Sequence, residues 1–109
     1  MNIYVPGKGN PDPKICFIGE APSYEEEKEL TPFVGPSGKF LNLLLSEAGI
    51  SREQNWTTNV LKYSIPSNPK HGKKIPFQLR ARSVGIDVDK SIEELRREID
   101  QLNPNILVP

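Results

Sequence analysis

Three short apolar runs alternate with two amphipathic stretches along this chain, and that alternation leaves few folds open. The first run, "ICFI" at 15–18, is apolar throughout and ends at Gly19. A run of that length without polar alternation suits a strand buried on both faces, as in a parallel sheet. The second, "WTTNVLKY", is rich in β-branched and aromatic residues, the composition of a strand. "NILVP" at the end of the chain begins a third. Between the first two, Phe40, Leu41, Leu44, Leu45 and Ala48 share one helical face, with Ser37 as the cap and Gly49 at the helix end. Between the second and third, Ser91 and Glu94 have capping-box spacing. They open a helix with Ile92, Leu95, Ile99 and Leu102 on one face, stopped by Asn103-Pro104. This order predicts an α/β protein, a three-layer α/β/α sandwich around a central parallel sheet. A last strand without its next helix reads as a fold truncated at its C-terminus.

With 109 residues the chain is at most one domain with a modest core. Its 14 basic and 14 acidic residues cancel, so global charge selects no partner. Cys16 is the only cysteine and lies in the first apolar run, which excludes an internal disulfide. It reads as a buried thiol in a reducing compartment, the cytoplasm. No run approaches the roughly 20 apolar residues of a membrane span, so no membrane partner is expected. Residues 1–14 read as extended and then broken by Pro and Gly, and Ser51 with Gln54 as one helical turn. The segment from Gly19 to Pro36, with its acidic run "EEEKE", reads as a long solvated loop, and 64–88 as another.

The stretch "TPFVGPSGKFLNLLL" tests a nucleotide-binding reading. A P-loop needs GxxxxGK followed by Ser or Thr, so that backbone N–H groups wrap the phosphates and a hydroxyl reaches magnesium. Here Phe33 stands at the first glycine and Phe40 at the hydroxyl position, which excludes the motif. What the loop does carry is a phenylalanine just ahead of a helix.

Taken together, "GEAPSYEEEKELTPFVGPSGKFLNLLLSEAGI" and "TTNVLKY" resemble the family 4 uracil-DNA glycosylases, base-excision repair hydrolases of the uracil–deoxyribose bond. The resemblance runs over the whole chain, 1–109, apart from a basic insert near 68–88. It implies uracil-containing DNA as the partner. It also implies that Phe33 is a platform for the extracted base, which needs a flat apolar neighbour; a core phenylalanine beneath a loop is the plain alternative. Glu20 is implied as the catalytic carboxylate that positions water and supports the oxocarbenium-like sugar. Ala21 would act beside it through its backbone N–H. Asn59 is implied as the amide that reads the uracil edge, pairing with a carbonyl oxygen and the ring N–H together.

The same resemblance marks departures. Family members hold a [4Fe–4S] cluster on four cysteines. Here Tyr63 stands at the third position and Ser91 approximately at the fourth, the N-terminal pair has no counterpart, and Cys16 is not one of the set. The expected cofactor is therefore none, and no metal. The family's catalytic histidine lies beyond Pro109, and His71, the only histidine, reads as a solvated loop residue. Ser23 replaces a glycine of the first motif. From Gln54 to Ile86 there is no acidic residue, while Lys62, Lys70, Lys73, Lys74, Arg80 and Arg82 are basic. Such a segment can follow a DNA backbone, or simply be a flexible soluble loop. Similar inserts are found in glycosylase-like regions of certain phage DNA polymerases. Two functions stand after this reading: the N-terminal part of a uracil-DNA glycosylase, with its second catalytic motif outside this chain, and a non-catalytic DNA-binding module of a replication or repair protein.

Overall fold

A computed structural model describes residues 2–109. The first apolar run forms β2 (Ile15–Gly19), with Cys16 and Phe17, on opposite faces, both buried. β3 (Trp56–Asn59) pairs with it in parallel, Cys16 opposite Trp56 and Gly19 opposite Asn59. β4 (Ile106–Val108) runs parallel along the other edge of β2, Ile15 opposite Ile106. A two-residue strand not foreseen from sequence, β1 (Lys8–Gly9), pairs antiparallel with β3 and completes the order β1-β3-β2-β4.

Four helices connect these strands: α1 (Tyr24–Glu29), α2 (Pro36–Ala48), α3 (Phe77–Arg82) and α4 (Val88–Leu102). From β2 the chain passes through α2 to β3 on one side. From β3 it passes through α4 to β4 on the opposite side. Right-handed crossovers in opposite directions put α2 and α4 on opposite faces of the sheet, which gives the three expected layers. They also make β2 and β3 the pair at which the winding reverses. In such sheets a crevice opens at the carboxyl ends of that pair. Here those ends are Gly19-Glu20 and Asn59.

Several local expectations are corrected. The acidic run forms α1, because Ser23 and Glu26 build a capping box at its start: the Ser23 N–H and hydroxyl donate to the Glu26 carboxylate at 3.3 and 2.6 Å. α2 is capped by Gly35 rather than Ser37, since Pro36, with its fixed φ, starts the helix earlier. Its buried side is Gly38 and Leu45 with Leu41 partly covered, while Phe40 is 62% and Leu44 50% exposed. The apolar residues of α2, with Leu43 at 56% exposed, spread over more than one face, and only the side bearing Gly38, Leu41 and Leu45 is covered. α4 begins at Val88, where the Asp87 carboxylate accepts the Lys90 N–H at 3.1 Å. Ser91 is not its cap. It is buried one turn in, donating its hydroxyl to the Asp87 carbonyl at 3.0 Å. Gly49 and Asn103 end α2 and α4 in the left-handed conformation, at the positions the sequence indicates.

A polar hub fastens α4 to the sheet. Glu98 accepts hydrogen bonds from the Trp56 indole at 2.8 Å and the Thr58 hydroxyl at 3.1 Å, and pairs with Lys62 at 2.9 Å. The insert is partly core. Ala81 on α3 and Ile86 after it bury against Leu61, with Tyr63, Ile65 and Phe77 packed around them.

Candidate active site at the carboxyl ends of β2 and β3

The parallel ladder continues past Gly19: the Val60 and Leu61 N–H groups donate to the carbonyls of Gly19 and Glu20 at 2.8 and 2.9 Å. Both strand ends are therefore fixed in register. Asn59 is 4% exposed, and its carbonyl accepts from Lys62 Nζ at 2.5 Å. Its side-chain nitrogen is buried with no hydrogen-bond partner among the described residues. A buried donor left unpaired costs about 1–3 kcal/mol, which folded proteins rarely carry without a reason. A Cβ added at Gly19 would lie 2.3 Å from Asn59 Oδ1 and 2.7 Å from Phe33 Cζ. The bare backbone at Gly19 is what lets the amide and the ring meet at the strand end.

Phe33 reaches that position in a left-handed conformation, φ +56°. For a residue with a bulky side chain this costs of order 1–3 kcal/mol and persists only when its surroundings impose it. Arg52 imposes it from one side, donating to the Phe33 carbonyl at 2.7 Å, to the Pro32 carbonyl, and to Asn42 Oδ1 on α2 at 3.0 Å. Burial lowers the Arg52 pKa from its ordinary value. Gly38 makes room from the other side, since a Cβ there would sit 1.8 Å from the Phe33 oxygen. Glu26, buried, ties in the next residues by accepting the Gly35 N–H at 3.3 Å. The glycine pattern that imitates a P-loop thus lets a loop and a helix touch.

Glu20 lies just past β2 and is half exposed, its Oε1 3.4 Å from Arg80 of α3. Arg80 also donates to the carbonyls of Ile75 and Pro66 at 2.9 and 3.1 Å, so the insert is tied down next to Glu20. Glu20 and Ala21 line a cleft of 360 Å³ with Ser23, Tyr24, Ser64 and Arg80.

The sequence profile of the Uracil DNA glycosylase superfamily matches residues 6–109. The chain belongs to that superfamily. It is 48% identical over 107 residues to a Type-4 uracil-DNA glycosylase of Thermotoga maritima, an alignment covering 98% of this chain and 49% of that protein. To the Type-4 uracil-DNA glycosylase of Archaeoglobus fulgidus it is 36% identical over 105 residues, 96% of this chain and 47% of the relative. A DNA polymerase of Bacillus phage SP01 is 25% identical over 104 residues, 94% of this chain and 10% of the polymerase. The chain spans about half the length of the Type-4 glycosylases it matches across nearly all its residues.

Within this superfamily member the basic residues divide. Lys62 is 5% exposed and turned inward to Asn59 and Glu98, so the expectation that it meets DNA is corrected: it is a buried anchor for the strand end. Arg80 is likewise turned inward, with its guanidinium engaged by Glu20 and two carbonyls. Both positions lie in a basic segment, but the spacing does not distinguish a cation facing solvent from one facing a carbonyl. Lys70, His71, Lys73, Lys74 and Arg82 are exposed. The loop carrying the first four is closed at its neck, where the Ile75 N–H donates to Asn68 Oδ1 at 2.7 Å. Sequence reasoning missed Arg52 and Glu26. The Ser-x-x-Glu spacing at 23–26 could have revealed Glu26, whereas nothing local marks Arg52.

The residues present do not fit an iron–sulfur cluster. Tyr63 and Ser91 do line one cavity with Asp87 and Glu94, but they offer a phenol and a hydroxyl already donated to Asp87. Tyr63 is also packed edge-to-face against Tyr4, ring centroids 5.6 Å apart. Cys16 is buried in β2, and no group of three or more His, Cys, Asp or Glu side chains is arranged for a metal among the described residues. No helix among them is long and apolar enough to cross a membrane.

Proposed function

We propose that this chain carries the uracil-reading side of a uracil-DNA glycosylase site. The observation behind this is the unpaired, buried amide nitrogen of Asn59, whose side-chain oxygen and the Phe33 ring edge both border Gly19. A uracil stacked on Phe33 would give that nitrogen its missing acceptor, the O4 carbonyl, while Asn59 Oδ1 accepts a hydrogen bond from the N3–H. Cytosine presents an amino group where uracil has O4, so donor would face donor. Stacking on the ring would add roughly 1–3 kcal/mol. In the reaction a water oxygen bonds to C1′ of the deoxyribose as the glycosidic bond breaks. The bonding pair leaves on uracil N1, and the water's proton is released. Glu20 would hold that water and steady the positive sugar, with the Ala21 N–H as a further donor. The exposed Lys70, Lys73, Lys74 and Arg82 would follow the phosphate backbone. Residues 1–109, the N-terminal part of such a domain, would meet uracil-containing DNA in the cytoplasm without holding a metal or cluster themselves.

An amide-resolved NMR titration tests this reading. A uracil-containing single strand should shift Glu20, Phe33 and Asn59, and its cytosine and thymine counterparts should not. Equal shifts with all three strands would overturn it. A second reading, a non-catalytic DNA-binding module, is favoured by the Arg80 contact that already occupies one oxygen of Glu20. It expects shifts confined to 70–82 whichever base is present.

A further inference from the structure

We propose that Arg52 is the positioning residue of the base platform, setting the conformation in which Phe33 can receive a base. The inference rests on the uracil reading above for its functional meaning, and on Arg52 geometry for its physical content. One guanidinium joins three elements: the Pro32-Phe33 loop through two carbonyls, α2 through Asn42, and, through its own backbone, the turn before β3. No carboxylate lies within ion-pair distance of it among the described residues. A partly buried cation without an acid partner is costly, and its donors are directed at adjacent carbonyls. The planar fork of arginine can hold neighbouring carbonyls in a fixed relation, which a lysine ammonium cannot. What it holds are the two peptides that flank Phe33 and its strained φ. Without those hydrogen bonds Phe33 relaxes toward negative φ, and the ring leaves the Gly19–Asn59 corner.

The test compares Arg52→Gln, Arg52→Lys, Phe33→Ala and the double variant Arg52→Gln/Phe33→Ala in the full chain. Phe33 amide and ring signals are read by NMR, and affinity is measured for the uracil-containing strand. Arg52→Gln is expected to move the Phe33 signals while those of α4 stay in place. It should weaken uracil-strand binding about tenfold, a loss within the worth of a stacked base. Arg52→Lys should restore part of the affinity, and the double variant should bind no worse than Phe33→Ala alone. Unchanged Phe33 signals in Arg52→Gln, or losses that add in the double variant, would overturn the proposal. If Phe33→Ala binds like the parent, the uracil reading fails, while the Phe33 signals still decide the role of Arg52. Should Arg52→Gln not fold, Asn42→Ala removes one anchor of the guanidinium. Shifted Phe33 signals there support the proposal, and unshifted ones overturn it.

Discussion

At Gly38 a helix and a loop compete for the same space. Alanine inside a helix is ordinarily favoured over glycine by about 1 kcal/mol. Here its methyl would meet the Phe33 carbonyl at 1.8 Å, so the clash outweighs propensity. Gly38→Ala is expected to lower stability by about 1–3 kcal/mol, read from the urea midpoint. Gly19→Ala probes the site itself: its methyl falls on Asn59 Oδ1 and the Phe33 ring. That variant should still fold, at a cost of about 1–3 kcal/mol because the buried Asn59 side chain must move. It should lose uracil-strand binding at least tenfold, about the 1.4 kcal/mol equivalent. Cys16 gives a pH signature. Burial first, then the Glu98 charge, pushes its thiol up to about 11. The folded state favours the neutral thiol, so its contribution is whole below the unfolded value of about 8.5. It declines as the pH rises toward about 11. Urea midpoints should fall across that window, and a thiol reagent at neutral pH should label Cys16 only on unfolding.

At the scale of elements, what was legible followed from local pattern, and what was not followed from long-range contact. β2, β3 and β4 were readable because an uninterrupted apolar run or a β-branched run has few other uses. Both helix ends at Gly49 and Asn103 were readable because left-handed caps have strong residue preferences. The capping of α2 and α4 was misplaced because each N-terminal region offers more than one competent cap, and the choice depends on where the chain enters. Phe33, Asn59 and Glu20 were named as candidates by resemblance, but the approach of Phe33 and Asn59 at Gly19 and the inward turn of Lys62 and Arg80 depend on tertiary contact. Glu98 is the clearest case. On the sequence it is one more charge on a helix, and in the fold it is the acceptor for Trp56, Thr58 and Lys62. Glu98→Ala strands a buried lysine and two donors. It is expected to cost about 3–5 kcal/mol, measurable by thermal or urea unfolding. Asp87→Ala removes only a cap and should cost about 1 kcal/mol by the same measure.

Across the whole molecule, zero net charge conceals a local asymmetry. The exposed cations Lys70, Lys73, Lys74 and Arg82 belong to an insert that Arg80 ties down beside Glu20. Binding of DNA should therefore weaken with salt, and Lys73→Gln/Lys74→Gln should flatten the slope of log affinity against log salt by about 1.4 for a single strand. An unaltered slope would remove the insert from the interface. The reversal of winding between β2 and β3 also bears on the order of assembly. β2 pairs with β3 across a connection on the order of 40 residues, but its other edge waits for β4. Ile15 and Ile106 are on the order of 90 residues apart, a loop whose closure is entropically late. Until β4 docks, the innermost strand presents an open row of amides, the template on which two partly folded copies would join. Refolding yield should therefore fall as protein concentration rises, and the amides of β4 should be the first of the sheet to exchange with deuterium.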